Sequence, residues 1–169
     1  CASRGEVGWF GPEEQNPGPE RLGQLREAEL RNAVKELGMK SLSFLDYIDG
    51  QVDQADHEEA VAKIVTHIRH IQPQVVVTFP HDGNYGHPDH IAIGQFTNAA
   101  IVCAADSNYK DLENLPAFRV SKLYYMVDGE SFVNRIAPFM GDMTFQVDDQ
   151  IRGEALWKDW MITTRIEVA

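Results

Sequence analysis

Val75-Val76-Val77-Thr78-Phe79-Pro80-His81-Asp82-Gly83-Asn84-Tyr85-Gly86-His87-Pro88-Asp89-His90-Ile91-Ala92-Ile93 is the stretch whose reading decides the fold. Its opening is a β-branched run and predicts a short, nearly all-apolar strand over 74–79, of the kind buried on both faces in a parallel sheet. Its end predicts a helix over 88–105, because Pro88 suits a first helical turn, where its missing N–H would have no partner. Ile91, Phe96, Ala99, Ala100 and Cys103 supply that helix with a buried side. Three histidines and two aspartates thus meet at a strand-to-helix switch. In an open α/β sheet the carboxyl end of a strand is where ligands and catalytic groups collect.

Upstream, Asp53 to Ile71 carries Val61, Ile64, Val65 and Ile68 as an apolar stripe, with acids at its start and His67, Arg69 and His70 at its end. That polarity suits a helix dipole and marks the two histidines as solvated helix-end residues. Before it, 41–48 reads as a strand through Leu42, Phe44 and Tyr47, closed by the Asp49-Gly50 turn signal. Strand, helix and strand in sequence predict a right-handed βαβ unit. Residues 19–37 repeat leucines at helical spacing and end at Gly38, while 1–20 are rich in Gly, Pro and Glu and read as a loop. Downstream, 107–116 reads as a polar connection and 120–127 as a strand. Segments 143–147 and 162–168 alternate like strands, and 152–160 reads as a short helix.

At 169 residues the chain fits one domain. Its formal charge of −11 argues against nucleic acid or an anionic membrane as partner and favours a small or neutral substrate. Cys1 and Cys103 match neither a zinc spacing nor a disulfide framework, so a reducing, cytoplasmic setting is the default, with Cys103 as a small buried hydrophobe. No apolar run approaches the ~18 residues of a membrane span. The oligomeric state is left open.

Within the focal stretch, His87 falls at the helix cap and His90 three residues on, so both side chains turn toward one small volume. The positive end of the helix dipole disfavours imidazolium, which predicts a neutral His90, the form a metal ion needs. Asp89, in the first turn, is placed to orient one of the histidines. Tyr85 presents a phenol at the same edge. His-x-x-His alone is compatible with helix capping, with a metal site, or with a three-histidine site that adds His81.

Thr78-Phe79, Asp82-Gly83 and Tyr85-Gly86-His87-Pro88-Asp89-His90-Ile91-Ala92-Ile93 together resemble the second signature of the PIG-L (LmbE-like) zinc-dependent de-N-acetylases. Cys1 to Gly8 resembles the loop after that family's second strand, and Leu25 to Leu30 its following helix. The resemblance runs in register to about residue 105 and fades into a variable part over 106–169. It implies a Rossmann-like layered α/β sandwich with a mostly parallel sheet, and removal of an N-acetyl group from an N-acetylglucosamine-type conjugate. It further implies His90 as a zinc ligand, His87 as the histidine that stabilises the reacting amide, Asp89 as that histidine's support, and Tyr85 as a donor to the oxyanion. Arg26 and Asp49 stand where the family places sugar-binding side chains, with Asp46 as the rival of Asp49.

The family's first signature, His-Pro-Asp-Asp, supplies two zinc ligands and a general base, and no such tetrapeptide occurs here. A catalytic zinc takes three protein ligands. The expectation is therefore a single domain incomplete at both ends, lacking the upstream motif and a closing helix, and inactive by itself. Two other readings stand beside it: a sugar-binding module without catalysis, and a different metal hydrolase such as a phosphoesterase, for whose phosphate clamp only Arg4 and Arg26 are available.

Overall fold

The computed structural model describes residues 1–141, 144–147, 149–153 and 155–166. In chain order they form α1 (Pro19–Glu36), α2 (His57–Ile71), β1 (Val75–Thr78), the single turn α3 (Gly83–Gly86), α4 (Pro88–Ala105), β2 (Lys122–Tyr125), α5 (Glu130–Met140), β3 (Thr144–Val147) and β4 (Gln150–Gly153). The architecture is α/β. β1 and β2 pair in parallel, from Val75 opposite Lys122 to Thr78 opposite Tyr125, with α4 as the crossover between them. β3 and β4 form a separate antiparallel hairpin.

Local chemistry accounts for the two central helices. α2 starts where the Asp56 carboxylate accepts the Glu59 N–H at 2.8 Å, and it stops at Gln72, whose φ of 52° is left-handed. α4 starts at Pro88 with His87 as its cap. The two helices pack along their lengths. Val65, Ile68, Ala100, Ala104 and Val120 form one buried cluster, and Val52, Ala60, Ala92 and Phe96 form the other. Removing each such valine or isoleucine from water contributes roughly 1.5–3 kcal/mol. Gly94 sets how close α4 comes to β1: a Cβ there would stand 2.8 Å from the Phe79 carbonyl oxygen.

Arg69, expected to serve only as a charge at the end of α2, is instead buried. Its guanidinium donates to the Asp111 carboxylate at 2.7 Å and to the carbonyls of Cys103, Ala104, Asp106, Tyr109 and Leu115. It therefore closes the carboxyl end of α4 and pins the 106–116 connection to it. His70 does lie at the surface, paired with Glu113, whereas burial of His67 pushes its pKa down.

Several expectations need correction. β1 is not buried on both faces: Val75 and Val77 are 46% and 60% exposed, because the helices cover only the Val76 side. Residues 41–48 are extended but form no regular strand. Among the described residues their ladder-like partners are Cys1 and Ala2, whose carbonyls accept the Leu45 and Tyr47 N–H groups. The described residues of segment 152–160 form no α-helix: they carry the end of β4, a bridge at Trp157 and the start of a 3-10 turn at Asp159–Met161, and residue 154 lies outside the described residues. The strand expected over 143–147 is present as β3 from Thr144, with residue 143 outside the described residues. The one expected over 162–168 is not assigned over 162–166, and 167–168 lie outside the described residues. Helix α5 was not foreseen, although Val133, Ile136 and Ala137 between Gly129 and Gly141 carry its signal. Cys103 is half-buried and packs on the core edge. Among the described residues no helix is long and apolar enough to cross a membrane.

Candidate active site

The carboxyl end of β1 opens into a cavity of about 830 Å³, walled by Val77 to Phe79, Tyr85, His87 to His90, Asp49 and Gly50, the 7–10 loop and β3. Gly83 makes the turn into it. Its φ is +63°, and a Cβ would stand 2.9 Å from Ile91 and 3.1 Å from the Cβ of His90, so the backbone folds directly onto the first turn of α4. This fold-back carries Tyr85, His87 and His90 to one side. The two imidazoles are stacked with centroids 4.8 Å apart, and the Tyr85 ring stands edge-on to both, at 5.7 and 5.1 Å.

The hydrogen bonds give the two imidazoles opposite characters. The Nδ1 of His90 lies 3.2 Å from the Gly83 carbonyl oxygen. A carbonyl only accepts, so His90 carries its proton on Nδ1 and leaves a lone pair on Nε2. His87 is reversed: its Nδ1 accepts the Asp89 N–H at 3.1 Å, which puts the proton of the neutral ring on Nε2. One ring thus offers a lone pair and its neighbour an N–H. His90 is also held face to face with Phe79 at 4.0 Å. Burial first, and then the neighbouring His87, lower its pKa against the opposing pull of Gly83 and Asp49. The direction of this shift is the one expected for a neutral His90, but its first cause is desolvation rather than the helix dipole.

Asp89 sits elsewhere than expected. Its carboxylate is buried and accepts the Gly50 N–H at 2.7 Å and the Val52 N–H at 3.0 Å. It ties α4 to the 49–52 turn, and only its backbone N–H touches an imidazole. Burial raises its pKa, and the two backbone N–H groups hold that rise back. Asp49 lines the cavity and organises its rim, accepting from the Ser3 hydroxyl and the Val7 N–H, both at 3.2 Å. Arg26 is not in the cavity wall: it donates to the Gly8 carbonyl at 2.8 Å, and its guanidinium lies against the Phe10 ring at 5.6 Å. Its effect on the site is to prop the 8–10 loop. Asp46, the rival of Asp49, is an exposed partner of Arg4.

His81 turns away and meets Trp157 edge-on at 5.8 Å, so the three histidines do not assemble. Among the described residues no group of three or more His, Cys, Asp and Glu stands where it could hold a metal ion. His90 Nε2 is a suitable single donor, but the donors gathered here fall short of a catalytic zinc site. Three residues that the sequence reading missed also belong to the neighbourhood: Phe145 packs on Tyr85 at 4.7 Å, Trp157 bonds Asp82, and Arg152 lies over Gly86.

An α/β domain with paired imidazoles at the carboxyl end of a parallel strand is the class that this geometry defines. The family model for PIG-L, GlcNAc-PI de-N-acetylase, matches residues 1–101, and the chain belongs to that family. It is similar to the 1D-myo-inositol 2-acetamido-2-deoxy-alpha-D-glucopyranoside deacetylase of Kineococcus radiotolerans, 33% identical over 76% of this chain and 43% of that protein. The deacetylase of the same name from Geodermatophilus obscurus is 32% identical over 81% of this chain and 57% of that protein. The chain thus spans about half the length of these relatives. Among solved structures, the conserved protein TT1542 of Thermus thermophilus aligns with a TM-score of 0.56 and 26% identity, over 79% of this chain and 59% of that one. GalB, the 4-carboxy-2-hydroxymuconate hydratase of Pseudomonas putida, aligns with a TM-score of 0.63 over 87% of this chain and 58% of that one; at 21% identity it shows the fold alone.

Proposed function

We propose that the protein carrying this chain is a hydrolase that removes the acetyl group from an N-acetylglucosamine-type conjugate, a small neutral molecule. The observation that carries the proposal is the opposed pair of imidazoles. Amide hydrolysis needs an N–H or O–H aimed at the carbonyl oxygen, where negative charge develops as water adds to the carbonyl carbon. His87 Nε2–H is such a donor, and the Tyr85 hydroxyl on the same loop is the second. When the C–N bond breaks, the proton lost by the water ends on the departing amine, and the products are acetate and an amino sugar. The deacetylase relatives and the family membership support this reaction class.

The finer assignments are part of the same proposal. His90 Nε2 serves as one ligand of a zinc ion whose other ligands lie outside the cluster seen here, so residues 1–169 by themselves retain no zinc and no amidase activity. Residues 1–105 form the core of one domain, 106–169 its variable part, and the setting is cytoplasmic. Among the described residues no Lys or Arg lines the cavity, whereas Asp49 and Asp89 do, which favours a neutral sugar over a phosphate-bearing one. Asp49 is the sugar-facing residue, and Arg26 acts through the loop it props.

The test is acetate release from an N-acetylglucosaminyl conjugate by the full-length protein, together with its metal content. His90→Ala is expected to abolish both zinc retention and activity. His87→Ala is expected to retain zinc and lower kcat by about 10²–10³-fold, the scale of one lost oxyanion donor. Unchanged zinc in His90→Ala removes the ligand assignment. A full-length protein that binds the sugar but releases no acetate would be a binding module instead.

A further inference from the structure

The loop that carries Tyr85 holds an uncommon backbone. Asn84 has φ 70° and ψ −53°, outside the regions that a side-chain-bearing residue adopts readily, so something must hold it there. We infer that Trp157 does so, as a positioning residue that fixes Tyr85 through Asp82. Its consequence for rate rests on the de-N-acetylase reading, and its geometry does not.

Trp157 is anchored on both sides of its backbone: its N–H donates to the Asp128 carbonyl at 3.1 Å, and its carbonyl accepts the Glu130 N–H at 2.8 Å. From that base the indole Nε1–H donates to Asp82 Oδ2 at 3.0 Å, while Asp82 Oδ1 accepts the Asn84 N–H at 3.1 Å. The carboxylate is therefore a bridge with one oxygen on each side. The other face of the same residue is held as well, because the Asn84 carbonyl accepts the Ala155 N–H at 2.5 Å. The next residue along is Tyr85, whose ring meets both imidazoles and packs on Phe145. Without the indole N–H, Asp82 loses its fixed orientation, and the strain at Asn84 relaxes by moving Tyr85 away from His87 and His90. A residue of the weakly patterned carboxyl-terminal part thereby acquires a role at a site built from the family core.

The experiment uses the full-length protein with Trp157→Phe, which keeps an aromatic ring and removes the donor, and Asp82→Asn, which keeps one carbonyl oxygen. Amide hydrogen exchange over 82–87 should accelerate about tenfold in both variants while exchange in α2 stays unchanged, the pattern of a local opening. In acetate release, Trp157→Phe should lower kcat about tenfold with KM little changed, the scale of one lost charge-assisted hydrogen bond. That loss should vanish in a Tyr85→Phe background, since Trp157 acts through Tyr85. Unaltered exchange over 82–87 overturns the proposal. So does an equal kcat loss in both backgrounds, which would make Trp157 merely structural. If the wild-type protein releases no acetate, the de-N-acetylase reading fails, and the exchange result alone decides the role of Trp157.

Discussion

Replacing Arg69 by methionine tests whether the fold depends on one buried guanidinium. The side chains of Arg69 and Asp111 are 2% and 0% exposed, and the guanidinium makes six hydrogen bonds, one to the carboxylate and five to main-chain carbonyls. Methionine keeps the apolar stem and the volume but leaves a buried carboxylate without its counter-charge, a change that costs about 3–5 kcal/mol. The carbonyls at the end of α4 add little beyond this once water reaches them. Against a total stability of roughly 5–15 kcal/mol the loss is severe, and it corresponds to a fall in Tm on the order of 10 °C. Urea unfolding of the full-length protein, followed by circular dichroism, measures it. The double variant Arg69→Met with Asp111→Asn should be at least ~1 kcal/mol more stable than the sum of the single losses, because the stranded charge has gone. The pH dependence has a definite sign. Burial pushes the Asp111 carboxyl up, but the Glu113 N–H, Arg69 and the Leu115 N–H outweigh it and hold its pKa below the usual range. Its contribution is thus present above the ordinary carboxylate pKa of about 3.9 and is lost as pH falls through the lower folded value. Asp111→Asn should flatten that acid limb. A single Arg69→Met loss within about 0.5 kcal/mol, the range of an ordinary surface substitution, would refute the reasoning.

Three further outcomes follow. Gly94→Ala places a methyl 2.8 Å from the Phe79 carbonyl oxygen and should destabilise by about 1–3 kcal/mol in thermal unfolding, with His90 displaced along with α4. Asp89→Ala removes the acceptor of two main-chain N–H groups and should open the 49–54 turn, seen as faster amide exchange at Gly50 and Val52, with a stability loss of about 2–3 kcal/mol. Arg26→Ala should leave kcat nearly unchanged and raise KM about tenfold by freeing the 8–10 loop. An equal fall in kcat and kcat/KM, with KM unchanged, would instead place Arg26 on the reacting group.

What was legible in the chain, and what was not, divides by sequence separation. β1 and α4 were readable because a β-branched run and a proline at the first helical position act locally. The closeness of His87 and His90 was readable because it follows from their spacing along one helix. The partners of Asp89 were not, since Gly50 and Val52 lie 39 and 37 residues away and no local pattern announces them. Arg69 was read from its place at a helix end, whereas its burial is decided by a connection some 40 residues on. The exposure of Val75 and Val77 was missed for a different reason: an apolar run states what a strand tolerates and cannot state how many layers cover it. In the carboxyl-terminal part, Pro138 inside α5 obscured a helix whose apolar spacing was otherwise present.

Those long-range contacts change what the site is. Ser3 and Val7 bond Asp49; the next residue, Gly50, bonds the carboxylate of Asp89; and the N–H of Asp89 bonds His87. One continuous series of hydrogen bonds therefore runs from the loop over the cavity to the imidazole that faces it, and its single buried carboxylate belongs to the residue between the two histidines. A substitution at Asp89 would then disturb the cavity rim and the imidazole together. That distinguishes this arrangement from one in which Asp89 simply holds His87 by its carboxylate, where the rim would be untouched. The amide-exchange measurement at Gly50 separates the two, because only the arrangement seen here makes that amide depend on residue 89.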